Sequence, residues 1–187
     1  MIVLRALGPV EVSVNGRAAP PELLWRKNLA LLVYLARSPR RARTRDHLVG
    51  LFWGDKPESS ARHSLREAIR VLRQAGDEQA IETDADQVRL ADAALTTDVE
   101  AFERHANAGE WSAAAALAVG DFLEGFGLAD APAFEDWLAA ERLAIRRRMV
   151  DALVQSAETL QRSGDARAAG DRARRALVLD PLSDPAA

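Results

Sequence analysis

Four arginines, Arg62, Arg66, Arg70 and Arg73, recur at spacings of four, four and three residues. On a helix that spacing lines side chains up along one side. Ala61, Leu65, Ala68, Ile69 and Leu72 fall on another face, so the stretch 59–75 reads as amphipathic. Four guanidiniums in a row repel one another and give a bare helix nothing. A polyanion would compensate them, because a guanidinium matches both phosphate and the guanine edge in bidentate geometry, and a helix fits the major groove. His63 stands beside the stripe and Glu67 inside it. Glu67 is suited to orient a neighbouring arginine or to accept from cytosine N4. The same pattern also fits a solvated face of an ordinary amphipathic helix, and His63 a plain surface histidine.

A second basic cluster is Arg40, Arg41, Arg43 and Arg45, with Thr44 placed to cap the helix that follows. A helix start offers unpaired N–H groups to phosphate, and Thr44 adds a hydroxyl; a solvated loop is the equal alternative. Arg26 and Lys27, at the head of an earlier helix, are lesser candidates for phosphate-backbone contacts.

Other chemistry has no constellation to carry it. Without cysteine there are no disulfides, thiolate metal sites or thiol nucleophiles. His47, His63 and His105 lack metal-ligand spacing. Gly120, Gly125 and Gly127 suggest a phosphate loop only loosely, since no Lys-Ser/Thr follows and no strand precedes. Glu135-Asp136 suits a helix start, where acids meet the dipole. Trp53, Trp111 and Trp137 are expected in the core, and Arg146-Arg147-Arg148 wraps around its helix and is expected in solvent. The expectation is a protein that is not an enzyme and has no cofactor or metal.

The elements that must position these residues follow from periodicity. Val10, Val12 and Val14 alternate with Glu11 and Ser13, a half-buried strand, and Asn15-Gly16 is a hairpin turn. From Trp25 the period becomes helical through Leu29, Leu32, Val33 and Ala36, until Ser38-Pro39 stops it. Thr44 begins a second helix with Leu48, Leu51 and Phe52 inward and Gly54 as its C′ residue. Pro57 opens a third, which carries the arginines to about Gly76. Ile81, Thr83, Val88 and Leu90 then flank a turn at Asp84-Ala85-Asp86, a second hairpin. Sheet, three helices and hairpin make a winged helix-turn-helix over residues 1–95.

From Thr97 the pattern is helical throughout. Thr97 and Glu100 have capping-box spacing. Helices are expected to Ala108, over Trp111–Val119, over Phe134–Ser163, and from the Gly164-Asp165 turn to Asp180-Pro181. Ala168, Ala169, Ala173 and Ala176 are expected to allow close helix approach, with Leu177 and Leu179 capping the seam. This is a tetratricopeptide-like arrangement over 96–187. The chain stops where a next helix would begin, so the expectation is a domain continued beyond it, or an end covered by a partner or a second copy. The fold class is mainly α with small β-sheets.

The 187 residues carry a net charge of −3, unpromising for a polyanion binder. The distribution matters more. Residues 17–75 hold thirteen basic and five acidic side chains, a surplus of eight positive charges, whereas residues 96–187 carry an excess of six negative ones. A basic half can meet an anionic polymer while the acidic half stays clear. No secretory signal and no apolar run of about 18 residues is present, so no membrane partner and a cytoplasmic location are expected.

The chain resembles regulators of the streptomycete antibiotic regulatory protein type, an OmpR-like winged helix joined to a bacterial transcriptional activation domain. Arg26-Lys27, Leu31-Leu32-Val33-Tyr34-Leu35-Ala36, Arg45-Asp46-His47-Leu48, Leu51-Phe52-Trp53, Ala61-Arg62-His63-Ser64-Leu65-Arg66 and Leu72-Arg73 follow the DNA-binding half. Gly120-Asp121-Phe122-Leu123-Glu124-Gly125-Phe126 and Ala133-Phe134-Glu135-Asp136-Trp137-Leu138, then Glu141-Arg142, follow the activation half. The resemblance implies a transcriptional activator whose third helix reads direct promoter repeats in double-stranded DNA and whose helical half recruits RNA polymerase; a homodimer on those repeats, doubling the contacts, is a separate expectation. In relatives further domains often follow this pair. One departure is the expected wing, where Glu82, Asp84 and Asp86 face a lone Arg89 and would be repelled by phosphate. The rival expectation is a protein-interaction or input module of a multidomain signalling protein that keeps the winged fold without DNA binding.

Overall fold

The computed structural model describes residues 1–180; the expected closure at Pro181 lies outside them. The chain opens with β1 (Ile2–Arg5), β2 (Glu11–Val14) and β3 (Arg17–Ala18). Asn15 and Gly16 take φ of 50° and 75°, the two left-handed positions that let the turn match the twist of its strands. The helix α1 (Arg26–Arg37) is buried from Asn28 through Ala36 and ends where Ser38 donates its hydroxyl to the Tyr34 carbonyl. A 3-10 turn at Pro39–Arg41 leads to β4 (Ala42–Thr44), then α2 (Arg45–Trp53) and α3 (Glu58–Ala75). The hairpin is β5 (Ile81–Thr83) with β6 (Gln87–Leu90), and β7 (Leu95–Thr97) follows. The strands form two small sheets, ordered β3-β2-β1-β7 and β4-β6-β5.

Thr44 caps α2 as expected, its hydroxyl accepting from the His47 N–H. Two expectations about this helix need correction. Leu51 is only half-buried, and Trp53 takes the inward place beside Leu48 and Phe52. Gly54 ends the helix with φ −62°, not left-handed; a Cβ there would stand 2.8 Å from the Gly50 carbonyl oxygen, and that crowding is the reason for glycine. Pro57 precedes α3, which buries the five expected apolar residues together with Val71 and Ala75. Neither β4 nor β7 was expected, since three residues are too few to show a period.

The second half is helical: α4 (Asp98–Asn107), α5 (Trp111–Leu117), α6 (Pro132–Arg162) and α7 (Ala166–Leu179). Thr97 accepts from the Glu100 N–H, Gly109 breaks the chain with φ 72°, and Asp165 caps α7 by accepting from the Ala168 N–H. Two readings of this half are overturned. In α7 Ala169 and Ala176 are buried, but Ala173 points to solvent and Leu177 is 48% exposed, so Leu177 caps no seam among the described residues. The arginine trio is not simply solvated. Arg146 pairs with Asp121 at 2.6 and 2.9 Å, and Arg148 reaches Glu103 and Asn107.

The residues gather into two compact units that interleave along the chain. The first comprises Met1–Leu4, Glu11–Thr96 and Gly127–Trp137; the second comprises Arg5–Val10, Thr97–Phe126 and the described residues from Leu138 on. Physical reasons for both exchanges are visible. Within the second unit the Asp98 carboxylate accepts from the Ala6 and Leu7 N–H groups at 2.8 to 3.0 Å, and Leu7 bridges Phe122. Within the first, Phe134 packs on Phe52 with ring centroids 5.3 Å apart, and Trp137 meets the Tyr34 edge at 4.8 Å. The glycine-rich segment serves packing: a Cβ on Gly120 would stand 2.9 Å from the Gly8 Cα. Arg142 ties it down by donating to the carbonyls of Phe122, Leu123 and Phe126.

Candidate nucleic-acid interface

The exposed side of α3 and the wing hairpin border a cleft of about 640 Å³ within the first unit. Arg45, Arg66, Arg70, Arg73, Gln74 and Thr83 line it, with Ile69 and Glu78. It therefore joins three of the four stripe arginines to one from the second basic cluster. The spacing of α3 puts Leu65 and Ile69 into the core, and this turns Arg66 and Arg70 outward.

The stripe is not uniform. Among the described residues the side chains of Arg66 and His63 make no hydrogen bond or ion pair, and both are exposed. Arg62 is held by Glu58 at 2.9 Å and Asp46 at 3.0 Å. Arg70 donates to Glu67 at 2.9 Å and to Gln74 at 2.7 Å. All four of these carboxylate and amide partners are exposed, so the pairs are weak and exchangeable in water. Arg73 is only half-exposed and donates to the Ile81 carbonyl and the Thr83 hydroxyl, both at 2.9 Å.

The second cluster divides in the same way. Arg45 faces the cleft, its Nε donating to the Asp84 carbonyl and its backbone N–H to the Asp86 carbonyl at 2.7 Å. Thr44 is exposed at the cap. Arg43 points away, its guanidinium over the Tyr34 ring at 5.5 Å and its Nε buried without a hydrogen-bond partner among the described residues. Arg40, Arg43, Thr44 and His47 line a separate hollow of about 340 Å³. His47 meets the Tyr34 hydroxyl at 2.6 Å, and its pKa is lowered by burial and then by the nearby Arg43 charge. Lys27 turns inward: its ammonium donates to the Phe52 carbonyl, pairs with Asp130 at 2.9 Å and lies over Trp53. That arrangement holds the first unit together and leaves Lys27 little to offer a ligand.

The wing is less repulsive than its sequence. Asp84 folds its carboxylate back to accept from the Asp86 and Gln87 N–H groups at 2.8 and 2.6 Å. Those main-chain bonds, with the Arg45 charge behind them, hold its pKa below the usual carboxylate range. Glu82 and Asp92 both approach Arg89 at 3.4 Å. Asp86 is left as the outward charge at the tip.

Residues that sequence reasoning missed are Thr83 and Gln74, whose side chains join the cleft, and the carbonyls of Ile81 and Asp84, which receive arginine donors. The turn at Asp84 was legible, an aspartate three residues before the strand that begins at Gln87. The carbonyl acceptors had none.

Against this geometry the comparisons with known proteins are sparse. No protein-family model and no curated protein matches the chain. The fold is similar to that of EmbR. A solved structure of Mycobacterium tuberculosis EmbR in complex with a low-affinity phosphopeptide superposes with a TM-score of 0.52 at 20% identity, covering 96% of this chain. The chain spans 55% of the EmbR chain. The likeness shows the fold: mainly helical, with a winged helix-turn-helix followed by a helical domain. Among the described residues no helix is long and apolar enough to cross a membrane, and no group of three His, Asp or Glu side chains is placed to hold a metal ion.

Proposed function

We propose that this chain is a sequence-specific DNA-binding transcriptional regulator that reads promoter repeats with α3 and engages protein, RNA polymerase in the first instance, through its helical half. The observation that carries the reading is the uncompensated Arg66 guanidinium, exposed on α3 beside Arg70 and Arg45 in an open cationic cleft. A duplex offers acceptors in the major groove for Arg66 and Arg70, and phosphates for Arg45, Thr44 and Arg62. His63 is placed to touch either. The weak pairs at Arg62 and Arg70 are exchanged for phosphate or base acceptors at small cost. Binding as a dimer on repeats doubles the contact set and offsets the negative charge of the whole chain.

Titration of labelled promoter duplexes by fluorescence anisotropy across a salt series tests this. Log K should fall linearly with log salt, at about −0.9 per phosphate contact. Substituting Arg66→Ala should weaken binding to the preferred sequence by about 1–3 kcal/mol and relax discrimination at one position. Salt-independent binding, or none, would favour the second reading, an interaction module without DNA. The observation favouring that module is the ion pairing of Arg62 and Arg70 to carboxylates of the same unit. The phosphopeptide bound by EmbR lends no support to a peptide site here, because this chain corresponds to only part of that protein.

A further inference from the structure

From the geometry we infer that Arg73 does not read DNA but is a positioning residue, locking the wing hairpin against the last turn of α3 so that wing and helix meet the duplex together. The inference rests on the DNA-binding reading of the same cleft. Sequence spacing makes Arg73 the fourth member of one stripe, yet the structure separates it from the other three. Its guanidinium crosses from α3 to β5, with Nε donating to the Ile81 carbonyl and an Nη to the Thr83 hydroxyl, both at 2.9 Å. It is half-buried, whereas Arg62, Arg66 and Arg70 are exposed.

Both acceptors lie in one strand, two residues apart: the main-chain carbonyl of Ile81 and the side-chain hydroxyl of Thr83. A rigid planar fork reaches both together; the single ammonium of lysine cannot reproduce that geometry. Neither acceptor is a carboxylate, so the contact leaves the positive charge unneutralised while it commits two of the five guanidinium N–H donors, Nε and one Nη, to the hairpin. Arg45 fastens the other end of the hairpin, through the Asp84 carbonyl and the Asp86 carbonyl. The three-stranded sheet is thus fixed at two corners by arginines that a sequence reading assigns to phosphate.

The test compares Arg73→Lys, Arg73→Ala, Thr83→Val and Arg66→Ala in the full chain. Hydrogen exchange of residues 81–90 is followed without DNA, and anisotropy titrations on a fixed duplex across salt are made at a temperature where circular dichroism shows each variant folded. A positioning role predicts faster wing exchange in Arg73→Lys and Thr83→Val, with affinity lowered about tenfold in Arg73→Lys. It also predicts an unchanged salt slope in Arg73→Ala, against a slope shallower by about 0.9 if a phosphate contact is lost. A merely structural role would lower the melting temperature and leave the affinity of folded protein unchanged, which would overturn the proposal. So would a shallower slope in Arg73→Ala with normal wing exchange in Arg73→Lys. Should Arg73→Lys fail to fold, Thr83→Val carries the same exchange and affinity comparison. If the wild-type chain binds no duplex, the DNA reading fails by itself; the exchange arm then decides the lock, supported by a loosened wing and refuted by an unchanged one.

Discussion

Arg66 and Arg70 sit one turn apart and enter a binding event from different starting points. Among the described residues Arg66 has no partner to give up, whereas Arg70 must exchange Glu67 and Gln74 for a new acceptor. Replacing Glu67 by Gln removes a negative charge from the interface and loosens this pair. The expected result is tighter binding to any duplex, by a factor of a few, with less discrimination between sequences, read by competition with unlabelled random DNA. Lys27 separates a structural from a ligand role at the same scale. Its ammonium is bonded to the Phe52 carbonyl and to Asp130, with a side chain 19% exposed. Lys27→Met should cost about 1–3 kcal/mol in urea unfolding while the DNA affinity of the folded protein stays the same. A loss of affinity without loss of stability would put Lys27 back among the contacts. From sequence alone the two roles look identical, because a lysine at the head of a helix shows its charge and not the carbonyl it meets.

Among the elements, α2 has a titratable side chain in its first turn. His47 lies against Tyr34 and near Arg43, and its pKa is depressed from the ordinary value of 6.5. The unfolded chain therefore takes up the proton first as pH falls. Above 6.5 both states are neutral and His47 adds no pH dependence; stability falls as pH drops through 6.5 toward the depressed value, and no further below it. His47 is largely solvent-exposed, so screening keeps the effect small. Denaturant midpoints at pH 7.5 and pH 5 should differ more for the wild type than for His47→Gln; equal differences would refute it. The helices themselves were legible, because Thr44, Pro57, Thr97 and Gly164-Asp165 are local signals that need no tertiary partner. What stayed hidden was pairing. β4 is defined by hydrogen bonds to a strand more than forty residues away, and nothing in Ala42-Arg43-Thr44 announces them.

For the whole molecule, the sequence divides at residue 95 and the packing beside it, after Thr96, but the packing also exchanges two segments, Arg5–Val10 and Gly127–Trp137, across that point. Charge and periodicity both change there, so a cut between 95 and 96 reads naturally. Yet Phe134 and Trp137 complete the aromatic cluster around Tyr34 and Phe52 within the first unit. Such a cluster cannot be inferred from local pattern, since Phe134 and Trp137 lie more than eighty residues beyond Tyr34 and Phe52, on a helix that continues into the other unit. A fragment ending at residue 96 would expose the Phe52 and Tyr34 rings. It should melt well below the full chain, or not fold, by circular dichroism; a fragment with an unchanged melting temperature would show the aromatic cluster to be dispensable. Of the stripe, Arg62, Arg66 and Arg70 face solvent and Arg73 is only half-exposed; the division into one unbound, two paired and one crosslinked guanidinium among the described residues depends on neighbours the chain brings in from α2, β5 and α3 itself.

The short strand β4 pairs with β6 in a single register, Ala42 opposite Arg89, Arg43 opposite Val88 and Thr44 opposite Gln87. Side chains on a strand alternate, so a shift of one position reverses every direction. Arg43 would leave the Tyr34 ring, and Thr44 would lose its place at the start of α2. Natural or engineered relatives of this chain should therefore tolerate substitutions between the two helices, Arg43 and Thr44 apart, better than a change in the length of that linker, since an insertion or deletion there misaims a whole helix where a substitution disturbs one side chain.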